Sequence, residues 1–226
     1  MNFFKSLKGH DGFSLLEVLV ALSLMAIVFA LVIKGTSNSR DKIDEVLENI
    51  ERSVRFASDE SALRNTVIRV HFFLDKNPAE FAVEYGPSDS FMLPATSEEG
   101  AVKSLADLEK SEKEQKKMNQ SFSRITEFQE KNAKITGDIR LVAVGSSVQP
   151  VPQTEGQPSI YMFPSGEKDS AIIVIGNNEE IAALVVDGFS GDFQRVYRTI
   201  ENSNKDNLNE IQTKMALDLF KEWQKK

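Results

Sequence analysis

Chemistry needs particular side chains, and this chain offers few of them. There is no cysteine, which removes disulfides, thiolate zinc sites and cysteine nucleophiles together. Histidine occurs only at His10 and His71, too few for a histidine-built metal centre. No nucleophile motif, phosphate-binding glycine loop or H-E-x-x-H string is present. Asp187, Ser190 and Asp192 invite a calcium reading, but they lack the twelve-residue loop with its terminal glutamate. A hairpin turn is the expected role of that stretch. The lysines near residue 115 are balanced by acids and carry no interleaved aromatics, so they predict no grip on single-stranded nucleic acid. The formal net charge of −7 also opposes binding to polyanions. No enzyme, cofactor or metal follows from these residues.

One ionisable group is out of place. Residues 13–33 read FSLLEVLVALSLMAIVFALVI, with Glu17 as their single charge. As a helix this run would be roughly 31 Å long, the thickness of a bilayer core. It is too long for the apolar region of a secretory signal, and Lys34-Gly35-Thr36-Ser37 offers no small-residue cleavage site after it. A membrane helix over 13–34 is therefore expected. A carboxylate inside such a helix costs ~2.5–3.5 kcal/mol at mid-bilayer and less near its edge. Two accounts of Glu17 are open. Ser14 and Glu17 fit S-x-x-E, a capping box that closes the first turn of a helix. Alternatively the whole string Gly12-Phe13-Ser14-Leu15-Leu16-Glu17 acts as a unit.

That string resembles the processing site of type IV pilin-like proteins. The resemblance implies a leader, 1–12, removed by a prepilin peptidase that cuts between Gly12 and Phe13. It also implies N-methylation of Phe13, and a Glu17 carboxylate that meets the new amine of a neighbouring subunit during assembly. Asp11 departs from the Lys or Arg common before the glycine. Leu15, Leu16, Val18, Leu19, Leu22 and Leu24 would then form the filament-core helix, exchanging inner-membrane lipid for other pilins or pseudopilins. Charge bias leaves orientation open, because Lys5 and Lys8 before the run face Lys34, Arg40 and Lys42 after it. A periplasmic placement of the remaining chain is what the resemblance implies.

The elements that carry this segment can be read from periodicity. Ile43, Val46, Leu47, Ile50, Val54 and Ala57 recur at helical spacing, and no proline interrupts residues 13–64. One long helix is expected, apolar in its first half and amphipathic over 35–64. From Thr66 the period becomes two, with Ile68, Val70, Phe72 and Leu74 on one face, and His71 on the face expected to meet solvent. Further strands are expected at 80–85, 139–144, 160–163, 171–175, 182–186 and 192–197, separated by turn residues. The fold class is thus α+β: a long helix packed on a small antiparallel β-domain over 65–200. The charge-rich stretch 103–134 predicts an exposed insertion. Leu208, Ile211, Met215, Leu219, Phe220 and Trp223 predict an amphipathic helix within 201–226, docked on its own domain. The helix-to-strand switch near residue 65, the string Phe163-Pro164-Ser165-Gly166 and a late hairpin with Gly191 in its turn are similar to the GspH/FimT group of minor pseudopilins and minor pilins. A signal-anchored envelope protein with a β-rich binding domain is the alternative, and a major filament subunit is a third.

Overall fold

The computed structural model describes residues 14–35, 39–87, 113, 116–126, 133–135, 137–201 and 207–225. The chain forms two units, residues 1–41 and 42–226. Helix α1 (Leu15–Gly35) belongs to the first. Helix α2 (Ser39–Arg64) supplies nearly all its length to the second. Whether one helix runs through 13–64 turns on residues 36–38, which lie outside the described residues. The surroundings of the α1 side chains are described as far as Phe29. Among the described residues no helix is long and apolar enough to cross a membrane. Membrane insertion over 13–34 therefore stays an inference from sequence.

The second unit has two antiparallel sheets. The first orders its strands β3-β2-β1-β5, from Ser123–Arg124, Glu80–Tyr85, Ile68–Phe73 and Ser159–Met162. The other runs β4-β6-β7-β8, from Arg140–Ser146, Ala171–Gly176, Glu180–Val186 and Phe193–Thr199. Seven of these strands lie within a few residues of the sequence expectation; β3 does not figure in it. Continuous apolar runs such as Ala171–Gly176 mark strands covered on both sides, and every residue of β6 is buried.

Helix α2 explains the first layer. Its stripe Ile43, Leu47, Ile50, Val54 and Ala57 is fully buried, while Val46 at the stripe's edge is only partly covered. The stripe shares one core with Ile68, Val70 and Phe72 of β1, Phe81 and Val83 of β2, Ile173 and Ile175 of β6, and Leu184 of β7. Period-two alternation aims these residues inward. Polar contacts fix the helix in register. The Tyr197 hydroxyl donates to Asp44, Arg195 pairs with Glu51 at 3.0 Å, and the Ser61 hydroxyl donates to the Met162 carbonyl at 3.1 Å. Along α2, β8 therefore runs from Phe193, which lies under Arg55, back towards Asp44.

Helix α3 (Leu208–Gln224) covers the opposite face of the second sheet, as the sequence predicts. Ala216, Leu219 and Phe220 form a separate core with Val142, Ile172, Val174, Ile181 and Ala183. Two glycines make room for it. A Cβ on Gly145 would stand 2.4 Å from the Phe220 ring, and one on Gly176 would meet the Gln212 amide nitrogen at 3.0 Å.

The described residues of the stretch 103–134 are mostly exposed, as expected, with Phe122 and Ile125 as the buried exceptions. A short helical segment at 116–121 leads into Phe122, β3 and Ile125, and both Phe122 and Ile125 are buried. Ile125 donates its N–H to the Val83 carbonyl. Asn119 and Phe122 lie against Arg69 on the outer face of the first sheet, while β3 extends the sheet's edge and Ile125 enters the core shared with α2. Much of 103–134 lies outside the described residues.

Candidate functional site

The proposed processing pair, Gly12 and Phe13, lies outside the described residues. The structure begins at the next step of the motif. The Glu17 N–H donates to the Ser14 hydroxyl oxygen at 3.1 Å, and the Val18 N–H to the Ser14 carbonyl at 3.2 Å. Ser14 is thus placed as the N-cap, filling one of the orphan donors of the first turn. The capping account of this string is real on its serine side. It leaves the Glu17 carboxylate on an exposed helix surface, available to a partner.

Beyond Glu17 the helix presents Leu15, Leu16, Val18, Leu19, Leu22 and Leu24, all exposed. Met25, Ile27, Val28 and Phe29 are exposed as well. A helix apolar on every side and bare on every side needs an apolar surrounding, either lipid or the helices of other subunits. The sequence-derived core residues are brought together here on one rod.

Residues 7–33 match the prokaryotic N-terminal methylation motif. The match covers Gly12, Phe13, Ser14 and Glu17, together with most of the apolar run. It supports a type IV pilin-like protein, and the motif implies processing by a prepilin peptidase and assembly with other pilins. Comparison with curated proteins and with solved structures gave no match.

The second unit holds polar groups that sequence reasoning did not place. Arg69 is buried on the outer face of β1 and pairs with Glu84 of β2 at 2.7 Å. Its guanidinium also donates to Asn119 Oδ1 at 2.7 Å and lies 3.9 Å from the centre of the Phe122 ring. One arginine thus ties the 116–125 cover to the sheet. His71, on the same face, is buried rather than exposed, because the 156–159 segment closes on it. Its Nε2 faces Gln157 Oε1 at 3.4 Å and its Nδ1 faces the Ser159 hydroxyl at 2.7 Å. A neutral ring satisfies both contacts with the proton on Nε2 and Nδ1 accepting from Ser159. Burial, helped by the nearby Arg69 charge, lowers the His71 pKa to about 4. Burial also raises the Asp169 carboxyl above its ordinary value, against the lowering effect of the Tyr161 N–H it accepts at 3.0 Å.

These groups serve cohesion. Each has protein partners; Arg69, His71 and Glu84 are buried, and Asp169 is half-buried. The Asp187 loop is likewise a turn. Asp187 Oδ1 accepts from the N–H groups of Phe189 at 2.9 Å and Ser190 at 2.7 Å. The Ser190 hydroxyl oxygen accepts from the Asp192 N–H. The bonds from Ser190 and Phe189 hold the Asp187 carboxyl below its usual range. Among the described residues no group of three or more His, Asp or Glu side chains could hold a metal ion.

The signal for the Arg69 site was present but indirect. Arg69 and His71 alternate with apolar residues, and Glu84 stands two strands' width of sequence away. Only the return of 116–125 over Arg69 and of 156–159 onto His71 makes them interior groups.

Proposed function

We propose that the chain is a minor pseudopilin or minor pilin, an assembly subunit that helps initiate or cap the filament of a type II secretion system or type IV pilus. The observation that carries this reading is the methylation motif at 7–33 leading directly into an apolar helix that is bare on all sides. In this reading prepilin peptidase removes Met1–Gly12, Phe13 gains a free and then methylated amine, and residues 13–34 wait in the inner membrane with the β-domain in the periplasm. Entry into the filament replaces lipid by other pilins or pseudopilins along Leu15, Leu16, Val18, Leu19, Leu22 and Leu24. The role is assembly, without catalysis, cofactor or nucleic acid.

A minor rather than a major subunit is favoured by the cover at 116–125 and the added helix α3, which a repeating lattice would have to accommodate at every position. The GspH/FimT subgroup is favoured by an amphipathic helix packed on antiparallel sheets, with Phe163-Pro164-Ser165-Gly166 directly after β5. The second reading is a signal-anchored envelope protein, and the Ser14 cap on the Glu17 N–H is the observation in its favour. Intact mass of the protein from its native membranes separates the two. Loss of residues 1–12 plus a methyl group is expected; a mature chain that still begins at Met1 would falsify the filament reading.

A further inference from the structure

Outside α1, the large apolar side chains exposed among the described residues are Leu63 at 80%, Val148 at 60%, Val151 at 58% and Phe189 at 87%. All four lie at one end of the second unit. Leu63 is in the last turn of α2, whose first residue in this unit is Lys42. Because Asp44 meets Tyr197 and Arg55 meets Phe193, the start of β8 and the hairpin before it lie towards the α2 C-terminus. Val148 and Val151 occupy the turn after β4, at the same end, since Ser146, Ala171 and Val186 stand side by side in register. Ser170 joins the two loops. Its carbonyl accepts from the Ser147 N–H at 2.9 Å and its hydroxyl oxygen from the Gly188 N–H at 3.1 Å.

The Phe189 tip is built to hold its shape. Asp187 Oδ1 accepts from Phe189 and Ser190, Ser190 accepts from Asp192, and a Cβ at Gly188 would be 2.6 Å from the Ser170 hydroxyl. A turn whose backbone is fixed in this way loses little backbone entropy when a partner covers its aromatic, which suits an interface anchor. The surroundings select the partner's chemistry. Asp187, Asp192 and Glu167 flank the tip, against Lys168. An acidic margin repels anionic lipid headgroups. It also repels the same pole of a second copy, and complements a protein face whose apolar pocket is edged by lysine or arginine.

We propose that this pole, with Phe189 as its anchor and Val148 and Val151 beside it, is a docking surface for a different protein that offers an apolar pocket with a basic edge. The inference does not use the N-terminal motif, and it stands or falls apart from the filament reading.

The test uses the full chain in its native cells, at native expression, with a photo-crosslinking phenylalanine analogue placed singly at 189, 148 or 214. Lys214 is exposed on α3, near the Gln212 contact with Asn177 at the opposite end of the second sheet. Positions 189 and 148 are expected to give one shared protein adduct of a different chain, absent at 214. Phe189→Asp, read by the adduct at 148, should reduce it roughly thirtyfold, as loss of an anchor does. Circular dichroism melting should be unchanged, because the side chain is exposed. No adduct at 189 and 148, equal adducts at all three positions, a lipid adduct, or an adduct of twice the chain's own mass would each overturn the proposal. So would a full adduct at 148 in Phe189→Asp. The mature N-terminal mass tests the filament reading separately.

Discussion

Gly145→Ala should loosen helix α3 from the second sheet. The new methyl would sit 2.4 and 2.7 Å from two carbons of the Phe220 ring and 3.1 Å from the Pro152 Cβ. Carbon atoms pack at about 3.5–4.0 Å, so the ring would have to retreat by roughly 1 Å. Phe220 has little room to do so, being buried between the sheet and Trp223, whose ring centre is 5.6 Å away. Overpacking of this kind costs about 1–3 kcal/mol, which in a unit of this size lowers the melting temperature by roughly 2–4 °C per kcal/mol. The assay is built in, because Trp223 is the chain's single tryptophan and its fluorescence follows α3. Urea unfolding of wild type, Gly145→Ala, Phe220→Leu and the double variant closes a cycle. Phe220→Leu removes the clash, so the double variant should be more stable than the sum of the singles by about 1–2 kcal/mol. Strict additivity, or a Gly145→Ala protein as stable as wild type, would refute the close approach as the reason for glycine there.

His71 predicts an acid sensitivity. Its folded pKa of about 4 lies below the ordinary 6.5, so the unfolded chain binds the proton more readily. This contribution is complete above pH 6.5 and is lost as pH falls from 6.5 towards 4, by about 3 kcal/mol in all; His71→Gln should flatten the stability slope in that window, and an unchanged slope would remove the argument. Glu84→Ala leaves the Arg69 charge buried without its carboxylate and should cost about 3–5 kcal/mol, whereas replacing both by leucine or methionine should cost much less; denaturation midpoints check the difference. A chain begun at about residue 36 keeps the α2 stripe and should be soluble and monomeric, whereas one begun after Ala57 uncovers the sheet and should aggregate; equal melting of the two would contradict the α2 packing. Glu17→Gln should still be cleaved and inserted yet recover fewer pilin-like partners on co-purification, because a neutral side chain leaves a neighbour's buried amine unpaired at about 3–5 kcal/mol; wild-type recovery would leave the Ser14 cap as the residue pair's whole role.

Much of the fold was legible because periodicity reports faces directly. The α2 stripe from Ile43 to Ala57, seven of the strands and the apolar face of α3 all follow from spacing. The methylation motif at the N-terminus was legible for a different reason: it lies in a short string, Gly12-Phe13-Ser14-Leu15-Leu16-Glu17, that can be read locally. What spacing does not report is whether a second face is covered. His71 and Arg69 alternate with core residues, and in a two-layer fold they would meet water. The 116–125 segment covers Arg69 and the 156–159 segment closes on His71, and the charged composition of the former hid Phe122 and Ile125 as interior residues. Gly145 is a similar case, since nothing local says that an aromatic ring from 75 residues later will rest on it.

The position of α3 along the chain has a consequence for synthesis. Strands β4, β6 and β7 display Val142, Ile172, Val174, Ile181 and Ala183 on the face that α3 covers. The residues that close that face, Ala216, Leu219 and Phe220, are made after every strand of both sheets. Any chain that lacks its last helix therefore leaves this apolar face of the second sheet uncovered. Stalled or C-terminally clipped chains would keep it open, and quality control would meet them as a single recognisable species: a folded α2 core with a sticky outer wall.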